Sequence, residues 1–464
     1  MAGKTSRYLS EELMQKTPKL FGPDRRYERW RWQVFCITWL TYASFFLTRK
    51  GFAIAKIKMA EPGVFGLTSR QMSWIDGAQL TAYAAGYFFW GVCGDRHGPR
   101  KIISLGMLGS ALAAIAMGAS STLRMLVLFA AVQGFCQSSA WASLSKNLGN
   151  FFSHRERGMV MGLFCTNYAF GGFAGGVYAG YFGNLLGWRY AFFIPAITLL
   201  VVLALFLWLQ RNRPEDVGLP PIEQYHGEAK AVLNKQTGAS DETERSWKLI
   251  RDVLKSPMVL LLSAAYFFMK LTRYAVLLWA PKYLSEQLGT NMTASAGLGG
   301  LFELAGVVSV VIAGIVSDKL LGSRRNPITV VCLILTAALL YSLDKLSHTR
   351  WALGGCLFWA GFLLFPPDAL VSGIAAVDFG TKKGASTASG LINGCGSIGA
   401  VIGGTLPGFL QSEHWSWNAI FTMLARSLLL AAMILLPKWN AVPATANKSA
   451  TGKTKPVAGG PVIG

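Results

Sequence analysis

Apolar segments of about 20 residues or more recur along almost the whole chain, each long enough as a helix to cross a hydrocarbon core of about 30 Å. Nothing in the sequence alternates with the ten-residue rhythm of barrel strands. The pattern predicts about twelve helices, starting near Trp32, Arg70, Arg100, Leu123, Gly158, Trp188, Pro257, Thr293, Pro327, Trp351, Gly384 and Trp417. The longest polar stretch, Gln210 to Lys255, opens Arg211-Asn-Arg-Pro-Glu-Asp216 and falls between the sixth and seventh helices. The expected organisation is a polar N-terminal segment (1–30), a six-helix half (31–210), a linker (211–256), a second six-helix half (257–438) and a tail (439–464). That tail is rich in Ala, Pro, Gly, Thr and Lys, lacks helical periodicity, and reads as disordered.

The halves repeat. Gly91-Val-Cys-Gly94-Asp95-Arg96-His-Gly98-Pro-Arg100-Lys101 follows the second helix, and Gly314-Ile-Val-Ser-Asp318-Lys319-Leu-Leu-Gly322-Ser-Arg324-Arg325 follows the eighth. From Gly91 to Gly314 the offset is 223 residues, and from Arg49 to Arg273 it is 224. The two arginines therefore hold matching places in the repeat. A parallel repeat about an axis along the membrane normal is expected to bring them to opposite walls of one midplane cavity.

Composition agrees with a membrane chain. Of 464 residues 52% are hydrophobic and 14% charged, and the mean hydropathy is +0.38. The first thirty residues are too polar for a cleavable signal peptide, so the first helix is expected to serve as the targeting signal. A net charge of +21 would point to nucleic acid in a soluble protein. Here the positive clusters fall in alternate loops, at Arg96, Arg100 and Lys101, Arg155 and Arg157, Arg211 and Arg213, Lys319, Arg324 and Arg325, and Lys382 and Lys383. Those loops and both termini are expected to be cytoplasmic, and nucleic acid is not an expected partner. The 7 cysteines lie singly in or beside apolar segments and read as small buried hydrophobes. The 5 histidines sit in or near loops, so neither a metal site, a cofactor site nor an intramembrane histidine relay is expected.

Against this background the cations inside apolar helices stand out. Arg49 and Lys50 interrupt Tyr42-Ala-Ser-Phe-Phe-Leu-Thr-Arg-Lys-Gly-Phe-Ala-Ile-Ala55, and Lys270 and Arg273 interrupt Tyr266-Phe-Phe-Met-Lys-Leu-Thr-Arg-Tyr-Ala-Val-Leu-Leu-Trp279. A mid-membrane Arg or Lys costs about 2.5 to 3.5 kcal/mol on insertion scales, so three of them need compensation of about 8 to 10 kcal/mol. Two sources suit. Asp76, Glu303 and Asp368 also lie in apolar runs and can neutralise the cations internally. Alternatively a bound anion does so, and guanidinium groups favour phosphate through paired N–H donors. Lys50 should point about 100° away from Arg49 and reach for the interface or the helix end. Tyr42, Tyr83, Tyr87, Trp141 and Tyr168 can line a cavity, although such aromatics also serve as packing. Asp95 with Arg96 and Asp318 with Lys319 fall at helix ends, where charge contacts can lock one face shut. The pairs Gly171-Gly172, Gly175-Gly176 and Gly403-Gly404, and Gly394-x-Gly396, follow no strand, so they read as close-packing or flexing sites and not as phosphate loops.

The repeated glycine, aspartate and basic-loop motif resembles the major facilitator superfamily. Within it, Arg49-Lys50-x-Phe52-Ala53, Glu156-Arg157-Gly158, Gly218-Leu-Pro-Pro221-Ile222-Glu223-x-Tyr225 and Arg273-Tyr274-x-x-x-x-Trp279-x-Pro281-x-Tyr283-Leu284 resemble the organophosphate:phosphate antiporters. The resemblance runs from the first helix to the eleventh. It implies the major facilitator fold, an all-α membrane protein with two six-helix halves, and exchange of an organic phosphate for inorganic phosphate. Glycerol-3-phosphate transporters carry a lysine and a histidine beside the phosphate where this chain has Tyr87 and Tyr168, and Trp-Pro-Pro where it has Trp141-Ala142-Ser143. Lys270 stands where those transporters have an aromatic residue.

The expected protein is thus a monomeric, multi-pass carrier in the bacterial inner membrane, with a small anion and the bilayer as partners and no enzymatic constellation. Arg49, Arg273, Lys270, Tyr42, Tyr83, Tyr87, Trp141 and Tyr168 are its candidate ligands, and Asp95, Arg96, Asp318, Lys319, Glu303 and Asp368 its gating or coupling residues. A proton-coupled anion symporter, with Asp368 or Glu303 carrying the proton, and a non-transporting sensor are the alternatives.

Overall fold

Long apolar stretches leave backbone groups without water, so they close their hydrogen bonds within helices. The computed structural model describes residues 25–153, 156–225, 255–319, 325–343, 349–375 and 385–440, and every long element among them is a helix. They are α1 (Arg25–Met59), α2 (Ser69–His97), α3 (Pro99–Ala119), α4 (Leu123–Phe151), α5 (Arg157–Leu186), α6 (Tyr190–Leu209), α7 (Pro257–Leu288), α8 (Met292–Lys319), α9 (Arg325–Ser342), α10 (Arg350–Ala369), α11 (Ala385–Ser412) and α12 (Trp417–Leu435). Among the described residues seven stretches are long and apolar enough to cross a membrane by length and composition: α3, α4, α6, α7, Met292–Val310, Arg350–Ser372 and Trp417–Lys438. Most of the expected tail and linker, with His154, Arg155, His226, His348, Lys382 and Lys383, lies outside the described residues.

The helices form two compact units. One takes in Met1–Gly66, Ala78–Glu242 and Met292–Ala296; the other takes in Leu67–Gly77, Thr243–Asn291 and Gly297–Gly464. In the first, α1 packs on α5 and α6, and α3 on α4 and α6. Small residues allow it: a Cβ on Gly171 or Gly175 would stand 2.8 Å from the Ala43 or Phe46 carbonyl oxygen. Val34, Tyr42, Phe45, Met107, Leu144, Phe164, Leu199 and Phe206 fill its core. α4 is interrupted at Ser138 and Ser139, whose hydroxyls donate to the carbonyls of Phe135 at 2.7 Å and Cys136 at 2.8 Å.

One end of this unit is tied by polar contacts. Arg31, buried at the start of α1, pairs with Glu28 at 2.6 Å and Glu156 at 2.5 Å and donates to the Phe151 carbonyl at 3.1 Å. Beside it the chain after α6 folds back. Tyr27 stacks on Tyr225 with centroids 4.0 Å apart and an interplanar angle of 7°, and its hydroxyl donates to the Pro220 carbonyl at 3.0 Å. Leu219 and Ile222 are buried with them, which explains the Gly-Leu-Pro-Pro-Ile-Glu-x-Tyr motif as a docking segment.

In the second unit α7 packs along α11 and on α12, and α9 on α12 and α10. The α7–α11 contact is nearly backbone to backbone: a Cβ on Gly399 or Gly403 would lie 2.2 Å from the Phe267 carbonyl oxygen or 2.0 Å from that of Leu271. At one end Lys282 is buried, pairs with Glu286 at 2.7 Å and donates to Gln411 at 3.0 Å and Ser69 at 3.1 Å. Proline interrupts several helices, and after Pro366 and Pro367 the backbone of α10 widens into a π-type turn, Leu370–Ala375.

Candidate functional site

Arg49 lies one turn past Phe46 and two turns past Tyr42 on α1. Its Nε donates to Gln137 Oε1 at 2.8 Å, and its guanidinium lies over the rings of Phe46 at 4.5 Å and Tyr83 at 4.7 Å. Gln137 is in turn held by its amide nitrogen, which donates to Thr48 Oγ1 and to Ser110 Oγ, each at 3.2 Å. One turn back, Gln133 accepts from Gln79 at 2.8 Å. α1, α2, α3 and α4 thus converge on one network that fixes the direction of the guanidinium.

The expected aromatic residues divide around this arginine. Tyr83 meets Tyr87 edge to face, with centroids 5.3 Å apart. Tyr42 packs on Trp141 at 5.3 Å and on Phe164 at 5.8 Å, and Tyr168 packs against the same core. Lys50, expected to reach outward, is buried with 6% exposure.

The second unit carries a different arrangement. Asp368, at the end of α10, receives Arg273 Nη1 on Oδ2, and its Oδ1 is 3.1 Å from Lys270 Nζ. The Arg273 guanidinium lies 4.2 Å from the Phe365 ring centroid, and Lys270 Nζ lies 5.2 Å from that of Tyr266 and 5.7 Å from that of Tyr274. A Cβ on Gly396 of α11 would stand 2.4 Å from the Tyr266 ring and 3.2 Å from Lys270, so that glycine makes room for both. Asp76 and Glu303 are buried as well. Asp368 meets both cations of α7.

Asp95, Arg96, Asp318 and Lys319 fall at the ends of α2 and α8, and their side chains lie outside the described residues. Gln137, Gln133 and Gln79 carry neither charge nor ring, so they stand out little in the sequence. Two glutamines one turn apart in an apolar helix were the available signal, because a buried amide needs partners. Among the described residues no group of three metal-ligating side chains occurs.

A family model described as "Major Facilitator Superfamily" matches residues 38–393. A "Probable hexose phosphate transport protein" of Chlamydia trachomatis is 31% identical over 90% of this chain and 92% of its own. A "Glycerol-3-phosphate transporter" of Bacillus subtilis is 31% identical over 90% and 94%. A "Membrane sensor protein UhpC" of Salmonella typhimurium is 29% identical over 90% and 93%. Among solved structures, an inward-facing bacterial homologue of the human lysosomal transporter Spinster aligns with a TM-score of 0.66 at 15% identity, covering 92% of this chain and 99% of its own, a likeness of fold.

Proposed function

The chain belongs to the Major Facilitator Superfamily, and from that premise we propose that it exchanges an organic phosphate, of sugar-phosphate or glycerol-phosphate type, for inorganic phosphate across the bacterial inner membrane. The observation that carries the reading is the pair Arg49 and Arg273, at matching places in the repeat of a chain 31% identical to relatives named for hexose-phosphate and glycerol-3-phosphate transport. Phosphoryl oxygens suit guanidinium groups because each arginine offers parallel N–H donors.

In this reading Arg49 and Arg273 engage the phosphoryl group and Lys270 adds charge beside Arg273. Tyr42, Tyr83, Tyr87, Trp141 and Tyr168 offer hydroxyls and ring faces to the rest of the substrate. Asp95, Arg96, Asp318 and Lys319 close one face, while Glu303 and Asp368 adjust the charge during the cycle. The six-helix halves 31–210 and 257–438 alternate access as a monomer, with both termini and the 211–256 linker in the cytoplasm. No covalent step, cofactor or nucleic acid is involved.

Reconstituted vesicles test it. Uptake of labelled glucose 6-phosphate or glycerol 3-phosphate that requires internal phosphate supports exchange. Uptake driven by an imposed proton gradient into phosphate-free vesicles replaces exchange with symport. Binding without flux replaces it with sensing, a reading favoured by the 29% identity to a named membrane sensor.

A further inference from the structure

Two cations and one carboxylate meet in the second unit. Asp368 holds Arg273 through Oδ2 and stands 3.1 Å from Lys270 Nζ through Oδ1. The trio therefore carries a formal net charge of one positive. A phosphoryl group would present the same thing to Arg273 and Lys270, two oxygens on one centre, so the carboxylate lies where an anionic ligand's oxygens would go. Asp368 is buried, whereas the side chains of Lys270 and Arg273 keep 17% and 12% exposure. Asp368 also follows Pro366 and Pro367, which lack N–H donors, and precedes the widened turn Leu370–Ala375, where Ser372 Oγ donates to the Asp368 carbonyl at 2.6 Å. Such a backbone can rotate its last turn without breaking a regular ladder.

We propose that Asp368 is a specificity-determining residue: a built-in counter-ion that occupies Lys270 and Arg273, competes with the substrate for them, and sets how much negative charge the site accepts. This rests on the organic-phosphate reading. Without the carboxylate the trio's charge rises to two positive; without Lys270 it falls to zero; without both it returns to one. Selectivity between ligands of one shape and different charge should follow that order.

Glucose 6-phosphate and glucose 6-sulfate supply the ligands. At pH 8 the phosphate ester is a dianion, since its second pKa is about 6, whereas the sulfate ester carries one charge. Binding of both to the purified full-length protein is measured for wild type, Asp368→Asn, Lys270→Met and the double variant. The preference for phosphate over sulfate ester should rise at least about tenfold in Asp368→Asn, fall in Lys270→Met, and return close to wild type in the double variant. Should Asp368→Asn fail to insert, the step from Lys270→Met to the double variant removes the same charge and should raise the preference as much. An unmoved preference in variants that still bind overturns the proposal and makes Asp368 a structural strut. Wild-type protein that binds neither ester overturns the organic-phosphate reading itself.

Discussion

Gln137 does two jobs at once, since its carbonyl oxygen receives Arg49 while its amide nitrogen is fixed by Thr48 and Ser110. A hydrogen bond to a charged group is worth about 1.5 to 3 kcal/mol, so Gln137→Leu should weaken phosphate-ester binding about tenfold or more with undiminished insertion. Equal affinity in the variant would make the network packing only. Arg49→Lys and Arg273→Lys should each cost about a hundredfold or more in affinity, because lysine keeps the charge and loses the forked geometry. Near-normal binding by either purified variant would remove that arginine from the site. Residue type and position made the cations legible in the sequence, since charge in an apolar helix is conspicuous. Partner choice was not: Asp76, Glu303 and Asp368 are all buried in apolar helices, and it is tertiary packing that brings Asp368 to Lys270 and Arg273. Gln137 was passed over because a neutral amide barely disturbs a hydropathy profile.

Along α11, glycine decides how closely two helices approach. Gly399→Ala or Gly403→Ala drives a methyl group into a carbonyl of α7, and overpacking of this kind costs about 1 to 3 kcal/mol. Both variants should lower the thermal midpoint in detergent. Gly390, whose Cβ position has nothing within 4 Å, is the control, and Gly390→Ala should be neutral or slightly stabilising. Equal midpoints for all three would mean that α7 and α11 can separate freely. At this scale the starts of α4, α7 and α12, at Leu123, Pro257 and Trp417, were legible to the residue, and those of α3 and α8, at Pro99 and Met292, to within one. α1 begins at Arg25 and not near Trp32, because hydropathy registers lipid contact, whereas Arg25 to Arg31 makes about two charged helical turns supported by the Glu28–Arg31 pair. The interruption of α4 follows from two serine hydroxyls competing for backbone carbonyls, a local choice that periodicity does not register.

For the whole molecule the charges predict a coupling rule. Closing an empty site strips water from Lys270, Arg273 and Asp368, a trio with one net positive charge, at a cost of several kcal/mol, and a bound anion removes most of that cost. Net efflux into anion-free buffer should therefore be about a hundredfold slower than exchange, equivalent to about 2.7 kcal/mol in the barrier. Equal rates would mean that internal carboxylates such as Asp368 already neutralise the empty carrier, and that the cycle is uniport or symport.

The stacked Tyr27 and Tyr225 bear on a different property, the reach of the connection between the halves. Polar composition places the start of that connection at residue 211, and residues 214–225 include a folded segment that ends against α1. Limited proteolysis should accordingly spare 214–225 in the wild type and cut there in Tyr225→Ala; identical cleavage patterns would dissolve the staple. Freeing the fifteen residues 211–225 would lengthen the fully extended tether by about 50 Å, at about 3.3 to 3.6 Å per residue. Even doubling a flexible loop changes its closure cost by only about 0.6 kcal/mol. Two tyrosine rings thus govern how far the connection can stretch, a matter of slack far more than of stability.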